Sequence, residues 1–182
     1  MNAEINDHLQ QFDDAVRRAH ALTADLDDAS VNWREAPEKW SVAQCLDHLS
    51  VTARRYAESI EPVVEEARRN GVTGDGPPRR GLLGKLFIRI LEPPVKFRAK
   101  APQPFTPRSE ISKVDVLDEY DASHRALRAL IEKSDGLDLG QVRLASPAAS
   151  WMKLRLGECY AILTAHERRH LWQVEQILSA RK

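Results

Sequence analysis

Four stretches of the chain repeat apolar residues at intervals of three and four, and no strand pattern of similar length competes with them. The first stretch, 2–28, sets Ile5, Leu9, Phe12, Val16, Ala19, Leu22 and Leu26 on one stripe. The second, 41–70, does the same with Val42, Cys45, Leu49, Ala53, Tyr56, Ile60 and Val63. Ser41 followed by Gln44 predicts a capping box at its start, and Gly71 predicts its stop. Pro62 falls inside this pattern and predicts a kink or break. The third stretch, 112–134, carries Val114, Leu117, Tyr120, Leu127 and Ile131, with His124 on the same face. Ser112 and Asp115 predict its N-cap, and Gly136 lies just past its end. The fourth spans 156–180. The expectation is an all-α protein: one domain over 1–182, folded as an antiparallel four-helix bundle.

The connections are unequal. Residues 27–40 read as a medium loop containing Pro37. Residues 71–108 form a long insertion, rich in Pro and Gly, between the second and third helices. A connection of that length is unusual and is often functional. It contains one short amphipathic segment, Leu82, Leu83, Leu86, Phe87 and Ile90, with Lys85 and Arg89 on another side. Arg79, Arg80, Lys85, Arg89, Lys96, Arg98 and Lys100 make the insertion basic, while Lys+Arg and Asp+Glu over the whole chain are both 27. It reads as a flap packed on the bundle, as a lid whose cations grip a substrate, or as a helix for a membrane surface or a partner. Residues 142–151 are compatible with extended structure.

Charge and cysteine use narrow the function classes. A net charge of +0 gives no global field toward nucleic acid. Cys45 and Cys159 stand far apart, make no CxxC, and fit a reducing compartment. The polar, acidic N-terminus lacks the pattern of a signal peptide, and no apolar run reaches the roughly 20 residues of a membrane span. The expected location is cytoplasmic.

The fourth stretch carries the strongest chemical signal. His166-Glu167-Arg168-Arg169-His170 places two imidazoles at i and i+4, one above the other on a helix face. That is the spacing two ligands of one ion need. The face also holds Cys159, Leu163, Val174 and Ile177, so both histidines are expected to point into the bundle. The same five residues match HExxH, in which Glu167 would be a general base. Against that reading, Gln173 and Gln176 stand where the extended motif needs a glycine and a histidine. A third ligand must then come from earlier in the chain. His48, at the edge of the second stripe, and His124, squarely on the third, are both candidates. His8 and His20 read as surface or stripe-edge residues. Gln173, one turn past His170, is placed to orient a ligand or simply to fill a polar position. Cys45 and Cys159 are candidate reactive thiols or extra ligands, with inert buried cysteine the commoner case. Trp33, Trp40, Trp151 and Trp172 are expected at helix ends.

Two short motifs carry a resemblance. Lys39-Trp40-Ser41-Val42-Ala43-Gln44 with Asp47-His48-Leu49, and His166-Glu-Arg-Arg-His170-Leu-Trp-Gln173, resemble the second-helix and fourth-helix signatures of the DinB-like (YfiT-like) metalloenzymes. The insertion matches no motif of that family. The resemblance implies a bundle of up-down-down-up order whose long crossover joins helices two and three. It implies a three-histidine metal site at His48, His166 and His170, so it selects His48 over His124. It implies a divalent ion, zinc or nickel, and for several relatives a low-molecular-weight thiol: bacillithiol, mycothiol or glutathione. Many relatives are dimers.

Three neutral imidazoles leave coordination positions open, which is the pattern of a catalytic site. Such an ion activates either a thiol or a water. The leading expectation is a metal-dependent, thiol-dependent S-transferase acting on a small molecule. The alternatives are a metal-dependent hydrolase and a non-catalytic, metal-binding or stress-associated dimeric bundle.

Overall fold

A computed structural model describes residues 2–74, 81–95 and 100–181, with the backbone alone for 82 and 83. Arg79, Arg80, Lys96 and Arg98, and the side chains of Leu82 and Leu83, lie outside the described residues. The fold is predominantly helical. In chain order come α1 (Ala3–Thr23), a short α2 (Asp28–Asn32), α3 (Val42–Arg69), α4 (Leu82–Leu91), a single 3-10 turn (Gln103–Phe105), α5 (Lys113–Lys133) and α6 (Leu156–Ala180). An antiparallel hairpin, β1 (Arg143–Ser146) and β2 (Ala149–Arg155), separates α5 from α6.

Local chemistry sets the helix ends. Ser41 Oγ accepts the Gln44 N–H at 3.1 Å, and Gln44 Oε1 accepts the Ser41 N–H at 3.1 Å. This reciprocal cap contributes about 1 kcal/mol. Ser112 caps α5 by accepting the Asp115 N–H. Gly71 and Gly136, at φ 63° and 80°, supply the left-handed turns beyond α3 and α5. Asp27 accepts the Ser30 N–H at 2.8 Å, which starts α2 inside the segment read as a loop. Of the kink or break expected at Pro62, the break is absent: α3 continues unbroken past that position. Pro62 and Glu58 are both exposed, so the Glu58 carbonyl that loses its helix donor faces water.

The four long helices share contacts, α3 with α5 and α6, and α1 with α5 and α6. Their core has two parts. Ile5, Leu9, Phe12, Tyr56, Ile60, Leu127, Ile131, Tyr160 and Leu163 belong to one. Ala19, Val42, Leu46, Leu49, Val116, Tyr120, Leu171 and Val174 belong to the other. Each large aliphatic side chain buried there adds roughly 2 kcal/mol. Periodicity identified most of these residues but misplaced two. Val114 is exposed and Val116 turns inward in its place, and Val64 is buried where Val63 was expected. His8, read as a surface residue, is fully buried against Tyr160, with ring centroids 5.9 Å apart. Trp151 sits on β2 at 83% exposure, away from any helix end. The stretch read as extended is this hairpin, and β2 continues four residues further, to Arg155.

The described part of the insertion packs on α6 through α4. Gly84 lies so close to α6 that an added Cβ would stand 2.9 Å from Glu158 Oε1. That carboxylate also accepts the Gly81 N–H and, at 3.1 Å, the Arg155 N–H. At the other end of α4, Arg168 pairs with Glu92 at 2.5 and 3.0 Å. One face of α4 is therefore strapped down at both ends, as the flap reading expects. Its other face is turned out.

Candidate metal centre

The first turns of α3 present Gln44, Asp47 and His48 to the returning end of the insertion. Gln44 Nε2 donates to the Arg108 carbonyl at 3.1 Å. Asp47, buried, accepts the Arg108 backbone N–H at 2.8 Å and its guanidinium at 2.6 and 3.1 Å. His48 Nδ1 donates to the Phe105 carbonyl at 2.7 Å. A carbonyl only accepts, so Nδ1 carries the proton and Nε2 keeps its lone pair.

That lone pair faces α6. The Nε2 atoms of His48 and His166 are 3.2 Å apart, and those of His166 and His170 are also 3.2 Å apart. Two nitrogens bound tetrahedrally to one ion at about 2.05 Å stand about 3.3 Å apart, so the donor set fits a single divalent ion. Among the described residues these three form a group able to hold a metal. His124 is not part of it. His170 Nδ1 donates to Gln173 Oε1 at 3.1 Å, which fixes the tautomer of a second ring. The polar position one turn past His170 thus orients that ring. His166 Nδ1 is buried without a hydrogen-bond partner among the described residues.

His48, read at the edge of the apolar stripe, lies inside it. His48 and His170 are 5% and 6% exposed, and His166 is the half-buried one of the three. Trp40 covers the first two, with ring centroids 4.8 Å from His48 and 5.7 Å from His170. Burial lowers the pKa of His48 below the usual histidine range. Burial, the neighbouring imidazoles and the positive charge of Arg169 hold His166 and His170 well below it. All three rings are kept neutral, which is the form that ligates.

Glu167 points away from this cluster. Its Oε2 accepts the Tyr120 O–H at 2.8 Å, and its Oε1 lies 3.0 Å from His124 Nε2, off the line of a good hydrogen bond. His124 Nδ1 donates to the Tyr120 carbonyl at 2.8 Å. Burial, the largest single effect, lowers the His124 pKa, but the Glu167 charge and contact, the Tyr120 carbonyl and the Asp121 charge together outweigh it and raise it. The inner glutamate of the HExxH pattern therefore ties α6 to α5 through an ion pair. His124 is its partner and not the third imidazole of the cluster.

The remaining candidates are plain. His20 makes an exposed ion pair with Asp121 at 2.9 Å. Cys45 and Cys159 are fully buried, and burial pushes both thiols up, so neither is poised as a thiolate. Sequence reasoning missed the Phe105 carbonyl, the cover by Trp40 and the Glu167–His124 pair. The adjacency of Trp40 to the Ser41 cap was the one available hint.

No described helix is long and apolar enough to cross a membrane. The model of the DinB superfamily matches residues 11–174. No curated protein and no solved structure matches the chain.

Proposed function

Because this chain belongs to the DinB superfamily, we propose that it is a divalent-metal-dependent enzyme of the thiol-dependent S-transferase type, with His48, His166 and His170 as the ligands. The observation that carries the reading is the convergence of three neutral imidazoles, with His166 Nε2 3.2 Å from the Nε2 atoms of both His48 and His170. In this reading the ion is zinc or nickel, the second reactant is a low-molecular-weight thiol, and the substrate is a small electrophile. The four long helices take the antiparallel order of a bundle, with the segment between α3 and α5 as its long crossover in a single domain. The working form is a cytoplasmic dimer.

When bound, the ion supplies Lewis acidity and holds a thiol as its thiolate at neutral pH. The chain's own groups do the rest. Phe105 and Gln173 fix two imidazole tautomers, so those rings offer lone pairs without rearrangement. Trp40 excludes water from the sides of His48 and His170, which leaves the half-buried His166 side as the approach for substrate.

One observation favours a second reading, a non-catalytic metal-binding bundle: two of the three imidazoles are almost fully covered. Turnover assays separate the two. Metal-loaded protein is mixed with glutathione, bacillithiol or mycothiol and a chromogenic electrophile. Thiol-dependent consumption that disappears in His166→Ala supports the transferase. Turnover of an ester without thiol moves the site to hydrolysis. Bound metal with no turnover in either assay leaves the non-catalytic bundle.

A further inference from the structure

The two faces of α4 pose a problem that packing on α6 does not solve. At 100° per residue, Gly84, Ile88 and Leu91 share one side, and this is the side turned to the core. Leu86 and Ile90 lie on the opposite side, with Phe87 at its edge, and they are 56%, 47% and 39% exposed. A helix apolar on both sides normally has both covered. Three large apolar side chains on one short helix are a contiguous patch and not the scattered exposure common on protein surfaces.

The charges beside the patch identify what covers it. Lys85 and Arg89 are exposed and flank Leu86 and Ile90 along the helix. The acid of this segment, Glu92, is turned to α6 and neutralised by Arg168. From residue 76 to residue 107 the sequence has seven cations, Arg79, Arg80, Lys85, Arg89, Lys96, Arg98 and Lys100, against the single anion Glu92. The whole chain is neutral, so this excess is local. A second copy of the same face would set Lys85 and Arg89 against their own counterparts and be repelled. A surface that is apolar within and anionic at its boundary fits both features. Cations beside an apolar stripe form the pattern of a helix that lies in a membrane interface.

We propose that the outward face of α4 docks onto an anionic lipid surface, with Leu86, Phe87 and Ile90 entering the headgroup boundary and Lys85 and Arg89 contacting lipid phosphates. The inward face stays on α6, held by Glu158 at one end and Arg168 at the other. Arg168 and Arg169 lie between two of the site histidines, and Arg169 also reaches the Ile90 carbonyl at 3.5 Å.

The test is co-sedimentation of the full chain with vesicles of phosphatidylcholine alone and with vesicles that also contain phosphatidylglycerol. The expected result is binding to the mixed vesicles only, weakened by added salt. Phe87→Asp removes it. Lys85→Gln and Arg89→Gln each reduce partitioning about five-fold. All three side chains are exposed, so the variants should melt with the wild type, and the two charge variants test the face even where Phe87→Asp does not fold. No binding to mixed vesicles, equal binding to both kinds, or binding unchanged in Phe87→Asp overturns the proposal. Vesicle binding is read without metal or turnover, so its failure leaves the proposed function untouched.

Discussion

The imidazole of His48 donates its Nδ1–H to the carbonyl of Phe105 across 2.7 Å, and this bond aims the opposite nitrogen at His166. The carbonyl is held in place by its neighbours. Gln44 and Asp47, on the same turns of α3, grip Arg108 three residues further on. The sequence run from Gln44 to His48 is thus one clamp on the end of the insertion, with the candidate ligand His48 as its last member. Asp47→Ala removes two guanidinium bonds and one backbone bond. It should cost about 2 kcal/mol of stability in urea unfolding and roughly ten-fold in metal affinity.

Gln173 does the same for His170. Gln173→Leu leaves the ligand in place but deprives its Nδ1–H of an acceptor. Metal affinity should fall about 10- to 100-fold, as measured by competition with a chelator, while the melting curve of the metal-free protein stays near that of the wild type.

The buried histidines predict a stability maximum in the metal-free protein. His48, His166 and His170 are depressed, so their contribution is fully present above the unfolded value of about 6.5 and is lost as pH falls. His124 is raised, so its contribution is fully present below about 6.5 and is lost as pH rises through its folded value. Urea midpoints should therefore peak between these two limbs. His124→Gln should remove the alkaline limb and leave the acid one. Glu167→Ala, which strands His124, should cost about 3 kcal/mol or more.

These residues also show what was legible in the sequence. The spacing of His166 and His170, the Ser41–Gln44 box and the stops at Gly71 and Gly136 are local signals, and each is found where its pattern put it. Choosing His48 over His124 needed the family resemblance, because both lie on buried faces of their helices. The direction of Glu167 depends on Tyr120 and His124 from another helix, which one helix's periodicity cannot contain. The Phe105 acceptor is a backbone group and leaves no side-chain signature at all. Pro62 does not break α3, because its exposed position lets the freed carbonyl meet water.

Trp40 supplies an optical probe. Its ring lies 4.8 Å from that of His48 and stacks on that of His170. Nickel or cobalt bound at the cluster should quench its fluorescence, and Trp40→Phe should lose most of the quenching while still binding metal. Equal quenching in the variant would place the ion elsewhere.

Cys45 and Cys159 should not react with a thiol reagent in the native state, because both are fully buried and burial disfavours their thiolates. Both should titrate in denaturant. A thiol that reacts at the native rate of an exposed cysteine would contradict this account of the core.

The most direct test of the central claim is metal content by mass spectrometry on tag-free protein, with the wild type beside His48→Ala and His170→Ala. About one equivalent of zinc or nickel is expected in the wild type and none in either variant. No metal in the wild type even after reconstitution, or metal lost in His170→Ala but retained in His48→Ala, would contradict a centre built on these three histidines.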